Sequence, residues 1–237
     1  MKSLRLTNRD TYGENDFNYP FFEKKSLDHF KIIVLRNSSG DFNKTHFRDG
    51  TLHDLMIGKT NIDLIAYKPA AVFINGAYFG VHNIREKISK HYIEENFCVD
   101  KNNIDLLEED STVLEGDFVV FNQMYSFITT NNMNDQSNYN IASKMMDVAS
   151  LTDYYVAETF LSNIDWPTIT LNSGEKKSPM QKWRYILNDL DTALGTMVGH
   201  RQAFDILGRI MGSYGDNNRH VHIFRSLLDN GRFKIIL

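Results

Sequence analysis

The sequence predicts an α+β fold, with a sheet-rich first part and a mainly helical second part. Three observations carry that expectation. The apolar run Lys31-Ile-Ile-Val-Leu35 and the β-rich runs flanking Asn75-Gly76 put strands and a hairpin in the first hundred residues. From Asp117 onward, apolar residues recur at helical spacing. A single late stretch, Lys182-Trp-Arg-Tyr-Ile-Leu-Asn188, alternates like a strand. Strands followed by helices, without strict alternation, favour α+β over α/β. The expected boundaries are residues 1–100 for a sheet-rich N-terminal lobe and 101–237 for a mainly helical C-terminal lobe, in one domain.

The elements follow in order. Residues 1–30 are polar and aromatic, with Tyr19-Pro20-Phe21-Phe22 as a loop anchor. Lys31–Leu35 reads as a short buried strand, and Asn37-Ser-Ser-Gly-Asp41 as a loop. His46 to Ile57 reads as a helix with Phe47, Leu52, Leu55 and Met56 on its core side and Thr45 as its cap. Ala70–Ile74 and Ala77–Ile84 flank Asn75-Gly76 as a type I′ hairpin, because both turn residues need positive φ. Pro69 stands at the strand's start, where no ladder donor is lost.

Residues 88–97, Asp117–Thr130 and Tyr139–Val148 read as helices. Ser150-Leu-Thr-Asp153 resembles a capping box opening another helix, with Leu151, Tyr154, Tyr155, Phe160 and Leu161 on one side. Asp165-Trp-Pro167 is expected to end it, since proline disfavours helix in the residue before it. Asp189-Leu-Asp191 follows the late strand, and residues 200–237 return to helical patterning.

Composition bounds the rest. The chain has 237 residues, 42% hydrophobic and 24% charged, with a mean hydropathy of −0.38. That is ordinary globular composition and excludes collagen, coiled coil and simple disorder. The chain has no run of about 18 apolar residues, so no segment is expected to span a bilayer. Lys plus Arg number 26 against 30 Asp plus Glu, a net charge of −4, which argues against a general nucleic-acid role. The one cysteine, Cys98, has no internal disulfide partner and reads as a core residue. Lys2-Ser-Leu-Arg-Leu6 reads as mid-strand and Phe233–Leu237 as an uncapped helix, so both ends look truncated. No signal-peptide pattern is present, which fixes no compartment.

Two acidic positions could do chemistry. Asp165 follows a helix with an aromatic face, and Asp189 and Asp191 follow a strand. Carboxylates at i and i+2 on a turning backbone can reach one hard cation. A separate aspartate can orient a hydroxyl or water, as metal-assisted phosphoryl transfer requires. The plain alternative is that Asp165 caps a turn and the pair ends a strand at the surface. Arg85-Glu86-Lys87 could touch a nucleotide or close an ion pair; on pattern alone it reads as a solvated strand end. His220-Val-His222 lacks a third ligand at matching spacing and reads as ordinary surface or helix histidines. Glu108-Glu109-Asp110 reads as a solvated acidic turn. A Walker A loop, Gly-x-Ser-x-Gly, His-Glu-x-x-His and the usual kinase glycine loop are all missing.

An ordered set of segments nonetheless resembles the CotH-type kinase family, named for a bacterial spore-coat protein. The set runs through Lys2-Ser-Leu-Arg-Leu6, Leu35-Arg-Asn37, Phe47-Arg-Asp49, Tyr67-Lys-Pro69, Tyr78-Phe-Gly80 and Asn83-Ile-Arg-Glu-Lys-Ile88. It continues through Asn103–Leu107, Glu115-Gly-Asp117, Asp165-Trp-Pro167 and Trp183–Asp191. The resemblance implies an atypical protein-kinase-like fold that transfers the γ-phosphoryl of ATP to serine on a protein, with Mg or Mn. It implies Asp165 as the catalytic-loop aspartate, Asp189 as metal ligand with Asp191 as helper, and Lys2 as a phosphate contact. Arg85, Glu86 and Lys87 would lie near the nucleotide. A coat or exported protein would be the partner, and a spore coat or extracytoplasmic setting the location.

Three departures accompany the resemblance. Thr170 stands where a kinase catalytic loop carries its metal-binding asparagine, and Asn172 could replace it only in a rearranged loop. The strand and small-residue loop that normally precede Lys2 are absent, and the chain stops inside an expected helix. The alternatives are a pseudokinase, a structural coat protein without a nucleotide site, or a carbohydrate hydrolase with two acids flanking a sugar cleft.

Overall fold

Ile32 to Arg36 forms an extended strand because its β-branched and leucine side chains fit a pleated, half-buried surface. In the computed structural model, which describes residues 2–167, 171–175, 182–195 and 205–236, this is β4. It follows β1 (Leu4–Thr7), β2 (Phe17–Asn18) and β3 (His29–Phe30), and precedes α1 (Arg48–Met56), β5 (Tyr67–Ile74) and β6 (Ala77–Glu86). An antiparallel sheet in the order β1-β4-β6-β5 results. The expected hairpin joins β5 to β6, with φ of 51° at Asn75 and 81° at Gly76. β2 and β3 form a separate small ribbon.

Next come α2 (Lys90–Phe97), β7 (Ile104–Glu108), β8 (Thr112–Glu115), α3 (Val119–Thr130), α4 (Gln136–Met145) and α5 (Val148–Phe160). Then follow β9 (Leu171–Glu175), β10 (Arg184–Ile186), α6 (Ile206–Met211), α7 (Arg219–Leu227) and α8 (Gly231–Ile236). A second antiparallel sheet has the order β10-β9-β7-β8. Mixed sheets and helices make this an α+β fold, as expected.

The largest core lies under the second half of the chain. Tyr154, Tyr155, Trp166, Tyr185 and Phe224 are all buried there, and the rings of Tyr155 and Phe224 stack at 3.9 Å. A smaller cluster seats Tyr92 and Ile93 of α2 on Leu106 of β7 and Ile186 of β10.

Several local expectations are corrected. Thr45 does not cap α1; its hydroxyl donates to Asp41 at 2.5 Å. The side of α1 that faces inward is Asp49, Leu52 and His53, while Phe47 and Leu55 are exposed. Leu52 and the partly buried Met56 do face the core as expected. The Ser150 capping box does not form either. α5 begins at Val148, where the Asp147 carboxylate accepts from Ser150 N at 3.1 Å, and Ser150 Oγ accepts from Tyr185 N at 3.1 Å. α5 ends at Phe160, well before Asp165, and Phe160 is 80% exposed rather than in the core. α4 starts earlier than expected because Asp135 caps it. The β7–β8 hairpin and β9 carried no expectation of a strand. Cys98 is exposed at the left-handed end of α2, not in the core.

Candidate active site

Strand alternation builds the upper wall of the site. Alternate residues share a face, so Ser3 and Arg5 of the β1 segment, Val34 and Arg36 of β4, and Arg85 and Lys87 at the end of β6 share one side. The register agrees, with Arg5 opposite Val34 and Val34 opposite Arg85. All six line a cleft of about 500 Å³. Below them it is closed by Asn188 and Asp189, and on another side by Glu108 and Leu114. Leu4, Val34, Ile65, Ile88 and Leu114 give the cleft apolar walls.

One end of the cleft is densely charged. Arg36 Nη2 donates to Asp189 Oδ1 at 2.5 Å and lies 3.5 Å from Asp191 Oδ2. Asp191 is buried and also accepts from Gly40 N at 2.9 Å. Gly40 sits so close that a Cβ there would stand 3.3 Å from the Asp191 carboxylate. Asp49 completes the group. One of its oxygens ion-pairs with Arg85; the other accepts from Leu190 N at 3.0 Å and faces His53 Nε2 at 3.3 Å. Leu190 is the residue between the two aspartates, so α1 holds their turn directly.

The charges set one another's ionisation. Burial alone would raise the Asp49 pKa; Arg85, His53 and Arg36 overcome it and hold Asp49 well below the usual carboxylate range. Asp189 is shifted upward, by burial first and by Asp191 and Asp49 next, against the pull of Arg36. Burial lowers the His53 pKa, favouring the neutral ring. Arg36 is raised, because Asp49, Asp189 and Asp191 outweigh its burial.

A second turn docks on the first. Asn163 Nδ2 donates to the Asp189 carbonyl at 3.3 Å, and Thr192 Oγ1 donates to Asn163 Oδ1 at 2.7 Å. Leu194 N donates to Leu161 O at 2.7 Å. Asp165 follows two residues after Asn163 and is half-buried. Beneath this turn lies Glu158 of α5, wholly buried, with its pKa pushed up to about 8 by that burial.

The residues singled out from sequence therefore fare differently. Asp189, Arg85, Glu86 and Lys87 line the cleft, and Asp191 lies just behind Asp189. Arg85 and Glu86 are buried, not a solvated strand end. Glu86 spends its carboxylate on Lys25 Nζ at 2.6 Å, Ala66 N at 2.7 Å and Asn96 Nδ2 at 3.0 Å. Lys87 is exposed at the cleft. Lys2 is exposed and does not line the cleft; its carbonyl faces His82 Nε2 at 3.0 Å. Asp165 does not line the cleft either. Thr170 lies outside the described residues. Asn172 lies in β9, not in a loop, with its backbone paired to Leu107 and Tyr185 and its side chain outside the described residues.

His220 and His222 lie on α7, as the helix reading expected. His220 is buried against Tyr185 Oη at 3.1 Å, and His222 meets Tyr125 Oη at 2.9 Å. Asp110 is not merely solvated: it accepts from Arg219 N at 2.9 Å at the start of α7. Sequence reasoning gave no role to Arg36, Asp49 or Asn163. The first two lay inside Leu35-Arg-Asn37 and Phe47-Arg-Asp49, and the available signal for Arg36 was its i+2 spacing from Val34 on an apolar strand.

The donor set fits a hard divalent cation. Carboxylate oxygens are the right chemistry, and the Arg36 guanidinium already places a positive charge between Asp189 and Asp191. Among the described residues no three His, Cys, Asp or Glu side chains form a metal-holding group. Two carboxylates suit Mg, which takes one or two from protein and the rest from phosphates and water. Among the described residues, no helix is long and apolar enough to cross a membrane.

No curated protein matches the chain. A comparison with known families matches the CotH kinase protein family over residues 1–237, so the whole chain belongs to that kinase family.

Proposed function

We propose that this chain is an ATP-dependent, divalent-metal-dependent protein kinase that phosphorylates serine on a bacterial coat or exported protein. The observation that supports the reading best is the two-part cleft: apolar walls for a base, and at one end a turn carrying Asp189 and Asp191 opposite Arg36. Its length also suits a nucleotide. Arg36 is paired with Asn83, and Lys87 lies four residues further along, roughly 13 Å at strand rise.

In this reading Asp189, helped by Asp191, holds the cation. A bound divalent ion supplies charge neutralisation for the phosphates. Arg36 is placed to contact phosphate oxygens once a cation shares its carboxylates. Asp165 accepts the proton of the serine hydroxyl as that oxygen attacks the γ-phosphorus, the bond from that phosphorus to the β–γ bridging oxygen breaks, and ADP leaves. Asp49 fixes the Asp189–Asp191 turn through Leu190 N, and Asn163 fixes the Asp165 turn against it. Glu86 borders the cleft while its carboxylate is held by Lys25, Ala66 N and Asn96, and Lys87 lies toward the base.

The test is phosphate incorporation from ATP with Mg or Mn into a candidate coat or exported protein. Asp189→Ala is expected to lower incorporation by at least 100-fold, about 2.7 kcal/mol in the barrier. Equal incorporation by wild type and Asp189→Ala overturns the catalytic reading. Thr170, in place of the expected asparagine, favours a second reading: a pseudokinase that binds nucleotide without turnover. Nucleotide-dependent thermal stabilisation without transfer to any acceptor would select it.

A further inference from the structure

The cleft wall carries four cations: Arg5, Arg36, Arg85 and Lys87. Two are already neutralised. Arg36 belongs to Asp189 and Asp191, and Arg85 to Asp49. Among the described residues, Arg5 and Lys87 make no ion pair and no side-chain hydrogen bond, and both are exposed. Counting only the charged end, Asp49, Asp189 and Asp191 outnumber Arg36 and Arg85. A divalent cation held there reverses that balance, and an unpaired cation of the wall adds to the attraction for a polyphosphate.

The register decides which cation is near enough. Arg5 is opposite Val34, two residues from Arg36 along β4, so it stands about 7 Å from the Arg36 row at strand rise. Lys87 lies about twice as far from that row. Lys2, the phosphate contact expected from sequence, is outside the cleft.

We infer that Arg5, reaching down from β1, is a second side chain, beside Arg36, that binds the polyphosphate of the nucleotide. The inference rests on the kinase reading above and adds a residue to it. Arg5 supplies a fork of N–H donors that matches phosphate oxygens, and no carboxylate already claims its charge among the described residues. No bond is made or broken by it.

The test is calorimetric titration of wild type, Arg5→Gln and Arg5→Lys with ATP, ADP, AMP and adenosine in the presence of Mg. Arg5 is exposed, so matching thermal melts without ligand will show that the variants fold alike. Arg5→Gln is expected to weaken ATP binding by about tenfold or more, with a smaller loss for AMP and less than about twofold for adenosine. Arg5→Lys should recover part of the loss. Unchanged ATP affinity in Arg5→Gln, or an equal loss for adenosine, overturns the role of Arg5 and leaves the kinase reading standing. A wild type that binds none of the four ligands overturns the kinase reading, and the Arg5 role falls with it.

Discussion

Asp49 receives an arginine, a histidine and a backbone amide on one buried carboxylate. Removing it leaves the Arg85 guanidinium buried without its counter-charge. Breaking a buried pair from one side costs about 3–5 kcal/mol. Asp49→Ala should lose stability in that range by urea unfolding, and a loss below about 1 kcal/mol would show that water or a neighbour replaces the carboxylate. Asp49→Asn keeps an acceptor for Leu190 N while losing the charge, so it separates the hydrogen bond from the ion pair. Neither role was legible from sequence. A helix with aspartate and histidine at i, i+4 usually turns them to water, and here the polar side faces in because the cleft needs it. Asp189 and Asp191 were legible because i, i+2 spacing after a strand is itself a geometric statement. Their partner Arg36 was not, because nothing in a one-dimensional pattern brings residue 36 to residue 189.

At the scale of elements, α1 is positioned by a glycine as much as by its charges. Gly50 lies flat against the Tyr67 ring of β5; a Cβ there would come within 2.3 Å of it. The half-buried ring would have to move toward the cavity it borders, or α1 would have to lift, to admit that Cβ. Gly50→Ala should therefore destabilise by about 1–3 kcal/mol, although alanine is the better helix former. A more stable Gly50→Ala protein by thermal melting would mean that α1 can slide along the sheet. Elements with strong local signals matched expectation. The β5–β6 hairpin was announced by Asn75-Gly76, and α3 by its apolar spacing. The starts of α4 and α5 were misplaced because several Ser, Thr and Asp residues compete as caps, and tertiary contact chose Asp135 and Asp147. β9 carries Asn, Ser and Gly, with no apolar alternation to announce it; its pairing with β7 and β10 supplies what its sequence lacks.

For the whole molecule, the buried carboxylates pull its acid–base behaviour in opposite directions. Glu158 has a folded pKa of about 8 against 4.5 for the free side chain. Between those values the unfolded chain has released this proton and the folded one has kept it. Its effect on stability is therefore least unfavourable below 4.5 and worsens as pH rises toward about 8, by up to about 1.4 kcal/mol per pH unit. Asp49 runs the other way: its folded pKa lies below 3.8, so its support is present above that value and is lost as pH falls through the folded pKa. Glu158→Gln should flatten the decline between pH 5 and 8 in chemical unfolding and leave the acid limb in place. A slope unchanged by the substitution would assign the decline to other groups. The contacts that build the cleft also set when it can exist. Arg36 and Asp189 are 153 residues apart in the chain, and Asp49 and Leu190 are 141 apart. Such distant closures are slow to form and cannot begin until the later partner has left the ribosome. On the proposed reading, a nascent chain that has completed its first sheet still lacks Asp189 and Asp191, and the proposed nucleotide cleft is complete only when nearly all of this sequence has been made.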